Sequence, residues 1–164
     1  MLFANVIRDF NPGNYFLHQW FWSAFLAWIT AQTIKIVRSA VKTRSVDFEY
    51  LVSTGGMPSA HSAMVMGLAT SIGLTEGFGS PVAMLALGFA AVTTFDAATV
   101  RHAAGEQAKV LNRIMKNLVT SHQFPSVTHL KELLGHTRKE VCWGMVTGVC
   151  VALAVCSLWP ARFS

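Results

Sequence analysis

Apolar positions fall into four long runs, Tyr15 to Ile34, Ala60 to Leu74, Pro81 to Phe95 and Val141 to Trp159, and the charged residues lie almost wholly between them. None of the runs alternates in the manner of a strand, and each is long enough for a helix, so the pattern predicts an all-α chain. Only the first and last reach the roughly 20 residues that a straight membrane span requires. The middle two are shorter and rich in Gly, Ala, Ser and Thr, which suits helices packed against neighbours more than helices facing lipid. The predicted fold is one domain over residues 1–164, a polytopic membrane helical bundle with about four transmembrane helices and short cytoplasmic helical segments.

Composition supports a membrane setting. Asp, Glu, Lys and Arg make up only 13% of the chain and hydrophobic residues 52%, whereas soluble domains carry about 25% charge. The basic residues then orient the bundle. Lys35, Arg38, Lys42 and Arg44 follow the first run, and seven more basic residues lie between Arg101 and Lys139, leaving only Arg8 and Arg162 elsewhere. With four spans these groups share one face, which the positive-inside bias makes cytoplasmic. That charge suits acidic lipid headgroups, and no nucleic-acid-binding motif accompanies it. The N-terminal stretch has no basic region or small-residue cleavage site, so no removable signal peptide is expected. Tyr15, Phe16, Trp20, Phe21 and Trp22 crowd the start of the first helix, as at a membrane interface.

The chemistry concentrates on a few positions. In Gly55-Gly56-Met57-Pro58-Ser59-Ala60-His61 two glycines and a proline lead straight into a helix. Pro58 suits the first helical turn, leaving the amides of Ser59, Ala60 and His61 to point at an anion. Gly56 permits close backbone approach, and His61 stands where it would pass a proton to a bound oxygen. A plain glycine turn with a helix start explains the same string. Lys35 and Lys42 are two helical turns apart and share a face toward this stretch; headgroup snorkelling is the competing role for Lys35.

The third helix is expected to run past Asp96 into a segment containing Arg101, whose planar fork suits phosphate, while Asp96 contacts another element. Residues Lys109 to Lys131 read as a polar, irregular cytoplasmic loop around Pro125 that has room for helical pieces, followed by a short helix that Gly135 stops. His136 and Glu140 are four apart, a spacing that lets the carboxylate hold one ring nitrogen and leave the other as a nucleophile. Thr137 and Glu140 equally form a capping box for the last helix. In that helix Gly144 and Gly148 favour close packing, and Cys142, Cys150 and Cys156 are too far apart along the axis for disulfides.

Pro58-Ser59-Ala60-His61, together with His136, Glu140, Val141 and Gly144, resembles the second and third motifs of the type-2 phosphatidic acid phosphatase and vanadium haloperoxidase superfamily. The chain from about Ala31 to Gly148 looks like its small, divergent membrane branch, with Asp96-Ala97, Val100-Arg101 and Leu130 to His136 as further matches. The resemblance implies an integral membrane phosphatase that removes phosphate from a lipid phosphate or isoprenyl diphosphate. His136 would be the nucleophile forming a phosphohistidine, Glu140 its orienting carboxylate and His61 the acid for the leaving oxygen. Lys35, Ser59 and Arg101 would hold the phosphate, with Lys42, Gly56 and Ala60 alongside and Asp96 and Arg44 in support. No metal or other cofactor is expected, and phosphate or vanadate would fill the site.

The chain departs from the broader superfamily in carrying Leu130 where an arginine precedes the nucleophile, Lys42-Thr43 for Arg-Pro, and Glu140 for aspartate. Arg101 would then supply the missing guanidinium. The alternative reading is a non-catalytic membrane protein that keeps the anion pocket for lipid binding, transport or assembly. The expected setting is a bacterial inner membrane, or an organelle membrane of bacterial origin, with the site on the cytoplasmic face; a homo-oligomer is compatible with it.

Overall fold

The computed structural model describes residues 18–43, 56–120 and 136–158. All regular structure within them is helical: α1 (Gln19–Thr43), α2 (Ala60–Glu76), α3 (Pro81–Ala98), α4 (Val100–Thr120) and α5 (Arg138–Leu158). Helix α2 is the centre of the bundle, packed against α1, α3 and α5, and α1 also touches α5. The sequence explains this placement, since Ala60, Ser62, Ala63, Gly67, Ala69, Ser71 and Gly73 are small and buried over a broad arc of α2, leaving exposed or half-buried the side that carries His61, Met64, Leu68 and Thr75. A helix packed against three neighbours needs no single apolar stripe.

Glycine sets how closely the helices approach. A Cβ at Gly67 would come within 2.8 Å of the Ser23 carbonyl oxygen on α1, and one at Gly148 would collide with the Ala63 carbonyl oxygen on α2. The ends are tied as well: Trp20 donates its indole N–H to the Thr75 hydroxyl at 2.6 Å, and the Ser71 hydroxyl lies 3.3 Å from the Cys156 sulfur. These contacts hold the start of α1 and the ends of α2 and α5 at one end of the bundle, from which the chain turns into α3. The other end gathers the start of α2, the end of α3 and the start of α5.

Large apolar side chains lie on the surface and small residues inside. Buried positions are mostly alanine, serine and glycine, whereas Leu85, Val92, Phe95 and Met84 on α3 are 60–75% exposed. Large contiguous apolar patches are foreign to soluble monomers, and small residues inside with large ones outside is the arrangement helices adopt in lipid. Two stretches, Pro81–Lys116 and Arg138–Leu158, are long and apolar enough to cross a membrane. The first apolar run falls short of that test because α1 continues into a half that carries Gln32, Lys35, Arg38 and Lys42, and α2 has only 17 residues.

Two boundaries differ from the sequence pattern. Helix α3 stops at Ala98, where Thr99 turns to φ −122° and its amide and hydroxyl both return to the Phe95 carbonyl. Residues 109–120, expected as the start of a loop with helical pieces, continue α4 as one unbroken helix, because their apolar and polar positions recur at helical period. The short helix expected at Leu130 to Leu134, Arg44, and the start of the first apolar run lie outside the described residues.

Candidate functional site

At the end of the bundle where α2 and α5 begin, three chain segments are stitched together by their backbones. The amide of Ser59 donates to the Glu140 carbonyl at 3.0 Å, and the amide of His136 donates to the Ala97 carbonyl at 3.2 Å. The first bond joins the glycine-proline stretch to α5, and the second joins the residues before α5 to the end of α3. Gly144 makes the first approach possible: a Cβ there would sit 2.5 Å from the Ser59 carbonyl oxygen and 2.9 Å from the Ser62 Cβ.

Helix α2 starts later than the sequence pattern suggests. Ser59 is its N-cap, with its hydroxyl accepting the Ser62 amide at 3.4 Å and the Ser62 hydroxyl at 3.0 Å. Pro58 therefore precedes the cap instead of occupying the first turn. Serine accepts from the amide three residues on more readily than it continues a helix, which displaces the boundary. The Ser59 amide, expected to face an anion, is committed to Glu140, and its side chain is fully buried. Ala60 is buried beside it, and His61 turns its side chain outward.

His136 is almost wholly enclosed, at 3% exposure. Its Nδ1 lies 3.3 Å from the Glu140 Oε2, and the same oxygen accepts the Thr137 amide at 2.9 Å. The Glu140 amide returns to the Thr137 hydroxyl at 3.4 Å. The capping box and the His–carboxylate pair, alternatives in the sequence, are thus made by one carboxylate at once. Burial above all, and then the charge of Lys35, hold the His136 imidazole below its ordinary pKa; Glu140 pulls it upward and His61 adds a smaller lowering.

Lys35, His61 and Glu140, from α1, α2 and the start of α5, thus all act on the charge of His136. Lys35 is buried, and its aliphatic stem runs beside Gly56, where a Cβ would stand 3.8 Å from the lysine Cδ. Gly56 has φ 97°, a conformation that glycine alone adopts readily. Neutral His136 with Nδ1–H directed at Glu140 leaves Nε2 with its lone pair, the arrangement of an oriented nucleophile. The backbones of Lys42 and Arg101 lie in α1 and α4, their side chains outside the described set, and Asp96 is half-buried near the end of α3. Among the described residues no three His, Cys, Asp or Glu side chains gather as metal ligands. The Ala97 carbonyl, which anchors His136, carries no side-chain signal by which a sequence could announce it.

Comparison with known proteins identifies the family. A family model described as the divergent PAP2 family matches residues 16–151, a range that contains every described residue of the site. The chain is also 38% identical over 143 residues to the uncharacterized membrane protein YuiD of Bacillus subtilis (strain 168), covering 81% of this chain and 90% of that protein. No solved structure matches.

Proposed function

The chain belongs to the divergent PAP2 family, and from that premise we propose that it is an integral membrane phosphatase acting on a lipid phosphate or isoprenyl diphosphate through a phosphohistidine. The observation that carries the reading is the enclosed His136 imidazole with Nδ1 at the Glu140 carboxylate and its pKa lowered. A buried neutral imidazole is a nucleophile at physiological pH, and a fixed carboxylate stabilises the cation that forms when it attacks.

The steps follow from the positions. His136 Nε2 attacks phosphorus as the bond to the lipid oxygen breaks, and His61, exposed in the first turn of α2, gives that oxygen a proton. Water then attacks the phosphohistidine, with His61 accepting its proton, and inorganic phosphate leaves. Lys35 supplies positive charge beside the transferring group, where a low-dielectric setting makes such charge effective. Gly56 lies beside the Lys35 stem, and the amides of Ala60 and His61, with Arg101 and Lys42, complete the proposed phosphate-holding set. Phosphate and vanadate are the expected small occupants. The site belongs on the cytoplasmic face, where most of the basic residues fall.

A second reading is a pocket that binds a lipid phosphate without turning it over. It is favoured by the commitment of the Ser59 amide to Glu140, which removes one anion donor from the start of α2. Purified protein assayed for phosphate release across a panel of lipid monophosphates and isoprenyl diphosphates separates the two. Release that disappears in His136→Ala supports the enzyme, and saturable binding without release supports the pocket.

A further inference from the structure

Helix α4 presents three faces at about 100° per residue. Gly105, Ala108 and Asn112 form one, and they are buried. Val100, Val110, Leu111 and Ile114 form a second, and each is 48–59% exposed. Lys109, Arg113 and Lys116, all exposed, lie on the side opposite Leu111 and Val100. Lys109 pairs with Glu106 at 2.7 Å, so this face carries three basic groups against one acidic group.

The position of α4 along the chain explains why the apolar face needs a cover. The 18 residues of α3 extend about 27 Å at ~1.5 Å per residue, close to the hydrocarbon thickness of roughly 30 Å. The helix breaks at Thr99, where that thickness is used up. Among the described elements α4 packs chiefly against its neighbour α3, so continued into water it would expose its apolar arc along its length. A helix with an apolar arc opposite a basic one lies stably in the plane of a bilayer interface, and basic groups there favour anionic headgroups.

We propose that α4 is an interfacial helix that docks on the anionic lipid surface of its own membrane, with Val100, Val110, Leu111 and Ile114 in the acyl boundary and Lys109, Arg113 and Lys116 toward headgroups and water. The exposed apolar surface of α3 continues directly into the arc, and the positive charge is complementary to anionic lipid. This surface is separate from the catalytic steps, and its test requires no turnover.

The test uses the full chain lacking its three cysteines, with single cysteines introduced by Leu111→Cys, Ile114→Cys, Lys109→Cys or Arg113→Cys. Each is labelled with bimane in vesicles of phosphatidylcholine, with or without phosphatidylglycerol. Labels at 111 and 114 are expected to be quenched by acyl-chain spin labels, and labels at 109 and 113 by aqueous iodide. Phosphatidylglycerol should strengthen acyl-chain quenching at 111, and Lys109→Gln, Arg113→Gln and Lys116→Gln combined should abolish that gain. Equal iodide quenching at all four positions overturns the proposal. So does shielding of 111 and 114 from both quenchers, which would mean that a second copy or another protein covers the arc. Hydrogen exchange on the wild-type chain needs no label. Amides 104–116 should exchange more slowly with phosphatidylglycerol present, and unchanged exchange rejects the proposal.

Discussion

Nδ1 of His136 and Oε2 of Glu140 stand 3.3 Å apart, and that same oxygen also receives the Thr137 amide. One carboxylate therefore starts α5 and orients the imidazole, so helix stability and chemistry are separable only by substitutions that remove one function at a time. Glu140→Gln keeps an acceptor for the Thr137 amide and loses the negative charge. It should lower phosphate release on the order of 10²-fold with a nearly unchanged melting temperature in detergent. Glu140→Ala removes both and should also lose about 1 kcal/mol of stability, the usual scale of a lost cap. Full activity in Glu140→Gln with early melting in Glu140→Ala would make Glu140 a cap alone.

The lowered pKa of His136 sets the direction of pH effects. The folded chain holds the imidazole neutral below the ordinary histidine value of 6.5. The unfolded chain takes up the proton first as pH falls, so the stability this residue contributes is present above about pH 6.5 and is lost as pH falls through the lower folded pKa. The acid limb of kcat/KM should likewise lie below about pH 6.5. Lys35→Met removes one of the charges that lowers it, so the limb should move to higher pH whatever happens to the maximal rate. An acid limb unchanged by Lys35→Met would remove the electrostatic link between the two residues.

Gly144 tests the close approach that builds the site. Gly144→Ala places a methyl group 2.5 Å from the Ser59 carbonyl oxygen, so α5 must move away from the start of α2. The expected cost is about 1–3 kcal/mol, with loss of phosphate release exceeding the loss of folded protein. Gly88→Ala on α3 is the control. Nothing lies within 4 Å of its added methyl, and it should be neutral or gain up to about 1 kcal/mol.

His136 and the turn between α2 and α3 lie at opposite ends of the bundle. In a cysteine-free background, Gly79→Cys should react with an impermeant maleimide from outside the cell and Lys139→Cys only after the cytoplasm is opened. Labelling of both from the same side would reject the orientation.

Much of this is legible in the sequence, for identifiable physical reasons. The apolar runs mark the bundle helices because lipid-facing and tightly packed helices both exclude charge, and the spacing of His136, Thr137 and Glu140 is short enough for local geometry to decide it. The register at Pro58 misleads because serine capping competes with proline for the first helical position. The role of Gly144 is visible only as a small residue that permits close packing; its partner, the Ser59 carbonyl, comes from a segment far away along the chain. Beyond residue 109 helix α4 reads as a loop with helical pieces and not as one continuous helix because its polar residues outnumber the apolar ones, although their period is helical.

The central claim is that His136 carries the phosphoryl group. Rapid acid-free quenching of the purified protein with a radiolabelled lipid phosphate, followed by stability of the label in alkali and acid, measures it directly. The account predicts an alkali-stable, acid-labile phosphoprotein whose label maps to His136 and is absent in His136→Ala. Phosphate release at the wild-type rate by His136→Ala, or a label carried by any other residue, would contradict it.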